Sequence, residues 1–145
     1  MEKDHADAMK YYESACKYGF PRGCSVAGMV YLEGQGIEKN IEKGVQYLSE
    51  ACRQDRGESC AVLGTGYLLG RDNISKDIEK AKLLLGKGCE LGSLQACINL
   101  SRMHKMGDGV PKNTSLAEKY KMMAVKIKQS KDGTDQPGVR LGRMQ

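Results

Sequence analysis

Residues 15–40 read Ala15-Cys16-Lys17-Tyr18-Gly19-Phe20-Pro21-Arg22-Gly23-Cys24-Ser25-Val26-Ala27-Gly28-Met29-Val30-Tyr31-Leu32-Glu33-Gly34-Gln35-Gly36-Ile37-Glu38-Lys39-Asn40, and the same order of residue types returns twice. The second copy runs from Ala51-Cys52 through Cys60 and Tyr67 to Gly70 and Lys76-Asp77. The third runs from Gly88-Cys89 through Cys97 and His104 to Gly107-Asp108-Gly109 and Lys112-Asn113. The pairs Cys16/Cys24, Cys52/Cys60 and Cys89/Cys97 each enclose seven residues and recur every 36 or 37 residues. A fixed period of that length marks a stack of repeated units, not a closed globule. A fourth copy places Val125 at the cysteine position with no partner after it, so it is a half repeat that caps the stack.

Each unit reads as two antiparallel helices. Ala8, Tyr11, Tyr12 and Ala15 stand at i, i+3, i+4 and i+7, one face of a helix. The same offsets give Gly44, Tyr47, Leu48 and Ala51, then Ala81, Leu84, Leu85 and Gly88. Small residues at two of the four places allow close helix approach. Asn40, Asp77 and Asn113 recur where first helices begin, as side chains that accept from free backbone amides. Gly19 and Gly92 recur where first helices end, suited to a left-handed cap; the second copy has Asp55 there with Gly57 nearby, which predicts a turn built differently. The second helices carry Ala27, Leu63 and Leu100 inward with Tyr31, Tyr67 and His104, and stop at Gly34, Gly70 and Gly107. The pattern predicts first helices over 5–18, 40–53, 77–90 and 113–128, and second helices over 22–33, 58–69 and 94–106. The units then span 5–39, 40–76 and 77–112, with a capping helix at 113–128, all within one solenoid over 1–129. Residues 130–145, with Gly133, Pro137, Gly138 and Gly142, lack a helical period and read as a flexible tail.

At 145 residues and 40% hydrophobic the chain is one domain with enough apolar surface for a core. One phenylalanine, no tryptophan and 18 glycines suit short, closely packed helices. The net charge of +5 comes largely from C-terminal lysines, with no basic stripe interleaved with aromatics, so nucleic acid is not the expected partner. No apolar run reaches membrane-spanning length. Met1-Glu2-Lys3-Asp4-His5 carries no apolar core of a secretory signal.

Six cysteines allow fifteen connectivities. Each pair brackets a helix–turn–helix, one sulfur on the last turn of the first helix and one on the first turn of the second. Helices packed about 8–10 Å apart bring such positions within bridging reach. The expected bridges are Cys16–Cys24, Cys52–Cys60 and Cys89–Cys97, each contributing roughly 2–3 kcal/mol. Zinc is the weaker reading. Its cysteines come as C-x₂₋₄-C with a second pair on the same ion, and neither His5 nor His104 belongs to a cysteine cluster. Three bridges imply an oxidising compartment: periplasm, extracellular space or the mitochondrial intermembrane space.

Catalytic motifs fail on inspection. Ser14-Ala15-Cys16-Lys17 matches S-x-x-K of the β-lactamases, but the S-D-N-like and K-T-G-like partners are missing. Gly34-Gln35-Gly36 and Gly107-Asp108-Gly109 follow helices, not strands, and lack the rest of a nucleotide loop. Met103, His104 and Met106 are the residues a haem or copper ion would use, yet one histidine on a helix is more often packing, and no cofactor is expected. Asn73, Asn99 and Asn113 begin three-residue glycosylation matches of the kind that arise by chance.

These residues resemble Sel1-like repeats, α/α relatives of the tetratricopeptide repeat, over roughly residues 5–128. The resemblance implies an all-α, right-handed α/α solenoid with disulfide-stapled units. Cysteine-rich versions fall into two groups, one secreted by Helicobacter and one formed by the mitochondrial cytochrome c oxidase assembly factor 7 family. Ser101-Arg102-Met103-His104-Lys105-Met106-Gly107-Asp108-Gly109-Val110 with the lysine-rich last helix is similar to the closing repeat of the second group. That family has more repeats, so the likeness covers its C-terminal part. It implies a non-enzymatic scaffold in the intermembrane space that serves oxidase assembly. A monomer holding a protein partner on its concave face is expected. The alternative is a secreted or periplasmic repeat protein concerned with host interaction, β-lactams or peptidoglycan. The binding residues are not legible at this level.

Overall fold

The computed structural model describes residues 2–71 and 73–131, with side chains from Asp4 onward. Seven helices follow one another: α1 (Glu2–Lys17), α2 (Pro21–Glu33), α3 (Ile41–Arg53), α4 (Gly57–Leu69), α5 (Ile78–Glu90), α6 (Leu94–Met106) and α7 (Thr114–Lys131). No strand occurs among the described residues. Each helix packs on the next in chain order, the pattern of an α/α solenoid. Two boundaries differ from the sequence reading by more than one residue. Helix α1 starts at Glu2, and α7 runs to Lys131, so Ser130 and Lys131 continue the helix. Residues 132–145 of the expected tail lie outside the described residues.

The helix ends are set by local chemistry. Asn40 Oδ1 accepts from the Lys43 amide at 3.0 Å, Asp77 Oδ1 from the Lys80 amide at 3.2 Å, and Asn113 Oδ1 from the Leu116 amide at 3.0 Å. Each satisfies one of the amides that a helix start leaves free. The second helices all stop at a glycine in the left-handed region: Gly34 at φ 71°, Gly70 at 65° and Gly107 at 71°. The turn after α3 corrects the sequence reading. Asp55 itself takes φ 68°, standing where Gly19 and Gly92 have φ 91° and 95°. The turn is built as in the other two units, because a short polar side chain tolerates the left-handed region better than most.

The core is a row of small and branched residues. Ala27, Leu48, Ala51, Ala81, Leu85 and Ala96 are fully buried. Glycine permits the closest approaches between units. A methyl on Gly64 would lie 2.7 Å from Leu85 Cγ and 3.1 Å from the Leu85 nitrogen. A methyl on Gly86, inside α5, would meet nothing within 4 Å.

These two glycines give opposite expectations. Gly64→Ala overpacks the α4–α5 contact and lowers unfolding free energy by roughly 1–3 kcal/mol. Gly86→Ala relieves helix entropy and raises it by roughly 0.5–1 kcal/mol. Urea unfolding of the two variants beside the wild type checks both signs.

Candidate protein-interaction surface

Chain reversal at each tight turn brings the cysteines of a unit together. The structure holds the bridges Cys16–Cys24, Cys52–Cys60 and Cys89–Cys97 with Cα separations of 4.5, 4.8 and 4.6 Å, within the range that disulfides occupy. Cys24, Cys60 and Cys97 are fully buried, and Met123 of α7 places its sulfur 3.9 Å from Cys89 Sγ. The staples therefore belong to the core and offer no reactive thiol.

A surface of different character runs along the first helices. Between α1 and α3 lie two adjoining hollows of about 590 and 310 Å³ that share Cys16 and Tyr47 in their walls. Lys10, Glu13 and Lys17 line one side; Lys43, Gln46 and Glu50 line the other. The floor is held by a half-buried polar cluster. Tyr31 and Tyr47 stack at 5.9 Å with rings 4° from parallel, and their hydroxyls donate to the same Glu13 oxygen at 2.8 and 2.9 Å. Burial, then the bond to Glu13, pushes both phenols up to about 12. Glu50 is similarly engaged, by Arg53 and by the Gln54 amide at 2.6 Å. That engagement holds the Glu50 carboxyl below its usual range.

The aromatic pairing continues down the stack. His104 stacks on Tyr120 of α7 at 5.8 Å, at the position Tyr31 holds against Tyr47. Lysines lie over three of these rings: Lys43 over Tyr31, Lys80 over Tyr67 and Lys119 over Tyr120. The face thus combines aromatic rings with lysine cations, a surface suited to a polypeptide partner. Sequence reading placed Tyr31, Tyr67 and His104 toward the interior, and His104 is 7% exposed. It did not find Glu13, which is 18 and 34 residues from its two partners.

The remaining motif residues are scattered. Ser14 lies exposed on α1 with Lys17 a turn away on the same hollow. Met103 is buried while Met106 is 70% exposed, so the two thioethers do not converge on His104. Among the described residues no group of three or more His, Cys, Asp or Glu side chains could hold a metal ion. Asn99 is buried and donates to Thr65 Oγ1 at 3.0 Å, while Asn73 and Asn113 are exposed, the latter engaged as a helix cap. No helix among the described residues is long and apolar enough to cross a membrane.

Stacked helix pairs with a grooved aromatic face define a repeat scaffold. The chain belongs to the Sel1 repeat family, whose repeats match residues 1–19, 21–55, 57–93 and 94–120. It is 46% identical over 54 residues to a Drosophila melanogaster protein named cytochrome c oxidase assembly factor 7 homolog, a stretch covering 37% of this chain and 20% of the fly protein. The match thus spans about a fifth of that relative's length. It is 43% identical over 42 residues to a Helicobacter pylori J99 protein named as a candidate beta-lactamase, HcpC, covering 29% of this chain and 14% of that one. The solved structure of Helicobacter pylori cysteine rich protein B superposes with a TM-score of 0.68 at 32% identity, over 88% of this chain and 90% of that one.

Two expectations follow from the polar cluster and the buried histidine. Replacing Glu13→Gln removes the charge both tyrosines bond to. The ionisation midpoints of Tyr31 and Tyr47 then fall below about 12 but stay above the ordinary tyrosine value, because burial, the larger cause, remains; ultraviolet titration reads this, and stability drops by about 1 kcal/mol. His104 is held below its ordinary value by burial, and secondarily by Lys82, and its Nδ1 has no partner. A depressed histidine stabilises the fold fully above its unfolded value near 6.5 and loses that contribution as pH falls through the folded value. His104→Tyr, which installs the residue of the other two units, therefore flattens the stability loss between pH 7 and pH 5 measured by chemical denaturation.

Proposed function

We propose that this chain is a non-enzymatic scaffold that binds a protein partner along its first-helix face. In this reading it acts in the mitochondrial intermembrane space in the assembly of cytochrome c oxidase. The observation that carries the reading is the 46% identity to a protein named as an assembly factor of that oxidase. Three disulfides fit an oxidising compartment, and their closure within single units suits a chain that folds as it is oxidised. The units we assign are 5–39, 40–76 and 77–112, capped by 113–128.

A second reading has its own observation. The likeness to the Helicobacter cysteine rich protein extends over 90% of that protein's length, which favours a secreted or periplasmic repeat module. The two readings separate on location. Ser14 supports no β-lactam chemistry in either: it is solvent-exposed on a helix, and a serine nucleophile needs an adjacent base oriented by a third group.

Depleting the native protein lowers assembled cytochrome c oxidase on native gels while the other respiratory complexes hold their levels. An unchanged oxidase, or a native protein located outside mitochondria, overturns the assignment. In parallel, Ser14→Ala and the wild type give equal, background hydrolysis of a chromogenic cephalosporin.

A further inference from the structure

The polar cluster of the first unit has a counterpart in the third with one member missing. Tyr31 and Tyr47 stack and both donate to the Glu13 carboxylate. At the matching positions of the third unit stand His104 on α6, Tyr120 on α7 and Gly86 on α5. The ring pair is kept, with centroids 5.8 Å apart against 5.9 Å and planes 19° apart against 4°. Both rings can still donate, one through a phenol and one through an imidazole N–H. The carboxylate is gone, because glycine has no side chain to carry it. A methyl built on Gly86 would meet nothing within 4 Å, so the space that a side chain there would enter is open. His104 is 7% exposed and its Nδ1 has no partner. The second unit does not repeat the site: Leu84 stands at the position of Tyr47 and carries no donor.

The surroundings select the occupant. Lys82 of α5 lies near enough to the His104 ring to act on its charge, and Lys119 lies 5.5 Å over the Tyr120 ring. Lys87 follows Gly86 and is engaged only at 3.7 Å, by Asp55. Glu90, on the next turn of α5, is exposed and leaves the balance positive, which favours an anion. Leu83, one turn before Gly86, is 71% exposed and stands where the first unit has Lys10 in its groove. It offers an apolar ledge beside the slot. We propose that an acidic side chain of a polypeptide partner, with an apolar neighbour resting on Leu83, enters this slot and takes the place that Glu13 holds in the first unit. The Tyr120 hydroxyl and a ring N–H of His104 donate to the incoming carboxylate. Such bonds to a charged acceptor are the stronger kind, and the molecule already makes two of them at Glu13. The site deepens the partner-binding reading and rests on it, but not on the oxidase or on the compartment.

Nuclear magnetic resonance of the His104 and Tyr120 ring signals in the intact oxidised chain, at low salt, tests this. The probe is a capped peptide with one glutamate beside a leucine. It is expected to shift both rings saturably, with a dissociation constant on the order of 1 mM. The same peptide with glutamine in place of glutamate is expected to bind at least ~10-fold more weakly. Tyr120→Phe keeps the ring and removes its donor, and is expected to weaken the glutamate peptide ~10-fold. Gly86→Ala keeps the binding, since its methyl meets nothing. Gly86→Glu supplies the carboxylate from within, moves the Tyr120 signals as the bound peptide does, and abolishes further shifts. Far-ultraviolet circular dichroism confirms that each variant is folded. No saturation at tens of millimolar, equal binding of the glutamine peptide, or binding that survives Gly86→Glu overturns the site. Acetate that binds as tightly as the peptide overturns the polypeptide source and assigns the slot to a small carboxylate. The level of assembled oxidase on depletion enters none of these outcomes, so either reading can fail alone.

Discussion

The close approach of each second helix to the next first helix is the contact on which the stack depends. At the α2–α3 crossing a methyl on Gly28 would lie 2.7 Å from Leu48 Cγ and 3.0 Å from the Gly44 carbonyl oxygen, and one on Gly44 would lie 2.7 Å from Leu32. The α4–α5 crossing repeats this with Gly64 over Leu85. At α6–α7 the small residue is Ser101, whose hydroxyl donates to the Ala117 carbonyl at 2.8 Å. Backbones that approach this closely pack leucine side chains against glycine rather than against other side chains. The gain is dispersion contact at high density. The constraint is that no bulk can be added on either side.

Within a unit the balance is different. The two helices of a pair meet over less of their length than helices of adjoining units do. Each of these slighter contacts carries a disulfide near its turn. The bridges thus fall where packing alone contributes least, closing the short loop in the unfolded chain and holding the pair in register. Covalent chemistry organises each unit, and small-residue packing joins one unit to the next. Neither could substitute for the other in a chain with no tryptophan and a single phenylalanine that is itself exposed.

Much of this architecture was legible in the sequence because it repeats. The period located Asn40, Asp77 and Asn113 at helix starts, and their side chains do accept backbone amides. Asp55 was misread because residue type alone suggests a different turn, whereas the repeat geometry imposes φ 68° on whatever stands there. A helical period identifies a face but not its cover, so Ala8 and Ala51 looked equivalent; one is exposed and the other is fully buried. The Glu13–Tyr31–Tyr47 cluster was illegible for another reason. Glu13 has Ser49 and Gly86 at its matching positions, so this polar site breaks the repeat instead of following it. A search for such departures, beside aromatic positions that do recur, is the signal that would have found it.

The placement of the staples has a mechanical consequence. Every bridge joins residues eight apart within one unit, and none spans two units. At the opposite edge, the units are tied by single backbone bonds: the Asn40 amide to the Tyr31 carbonyl, Asp77 to Tyr67, and Asn113 to His104, each at 2.9 Å. Covalent ties thus lie along one margin and single backbone bonds along the other, with the helix packing between units running across the whole width. Tension applied between the ends bypasses the residues inside each covalent loop, which carry no load, and falls on the helices outside the loops and the packing that joins one unit to the next.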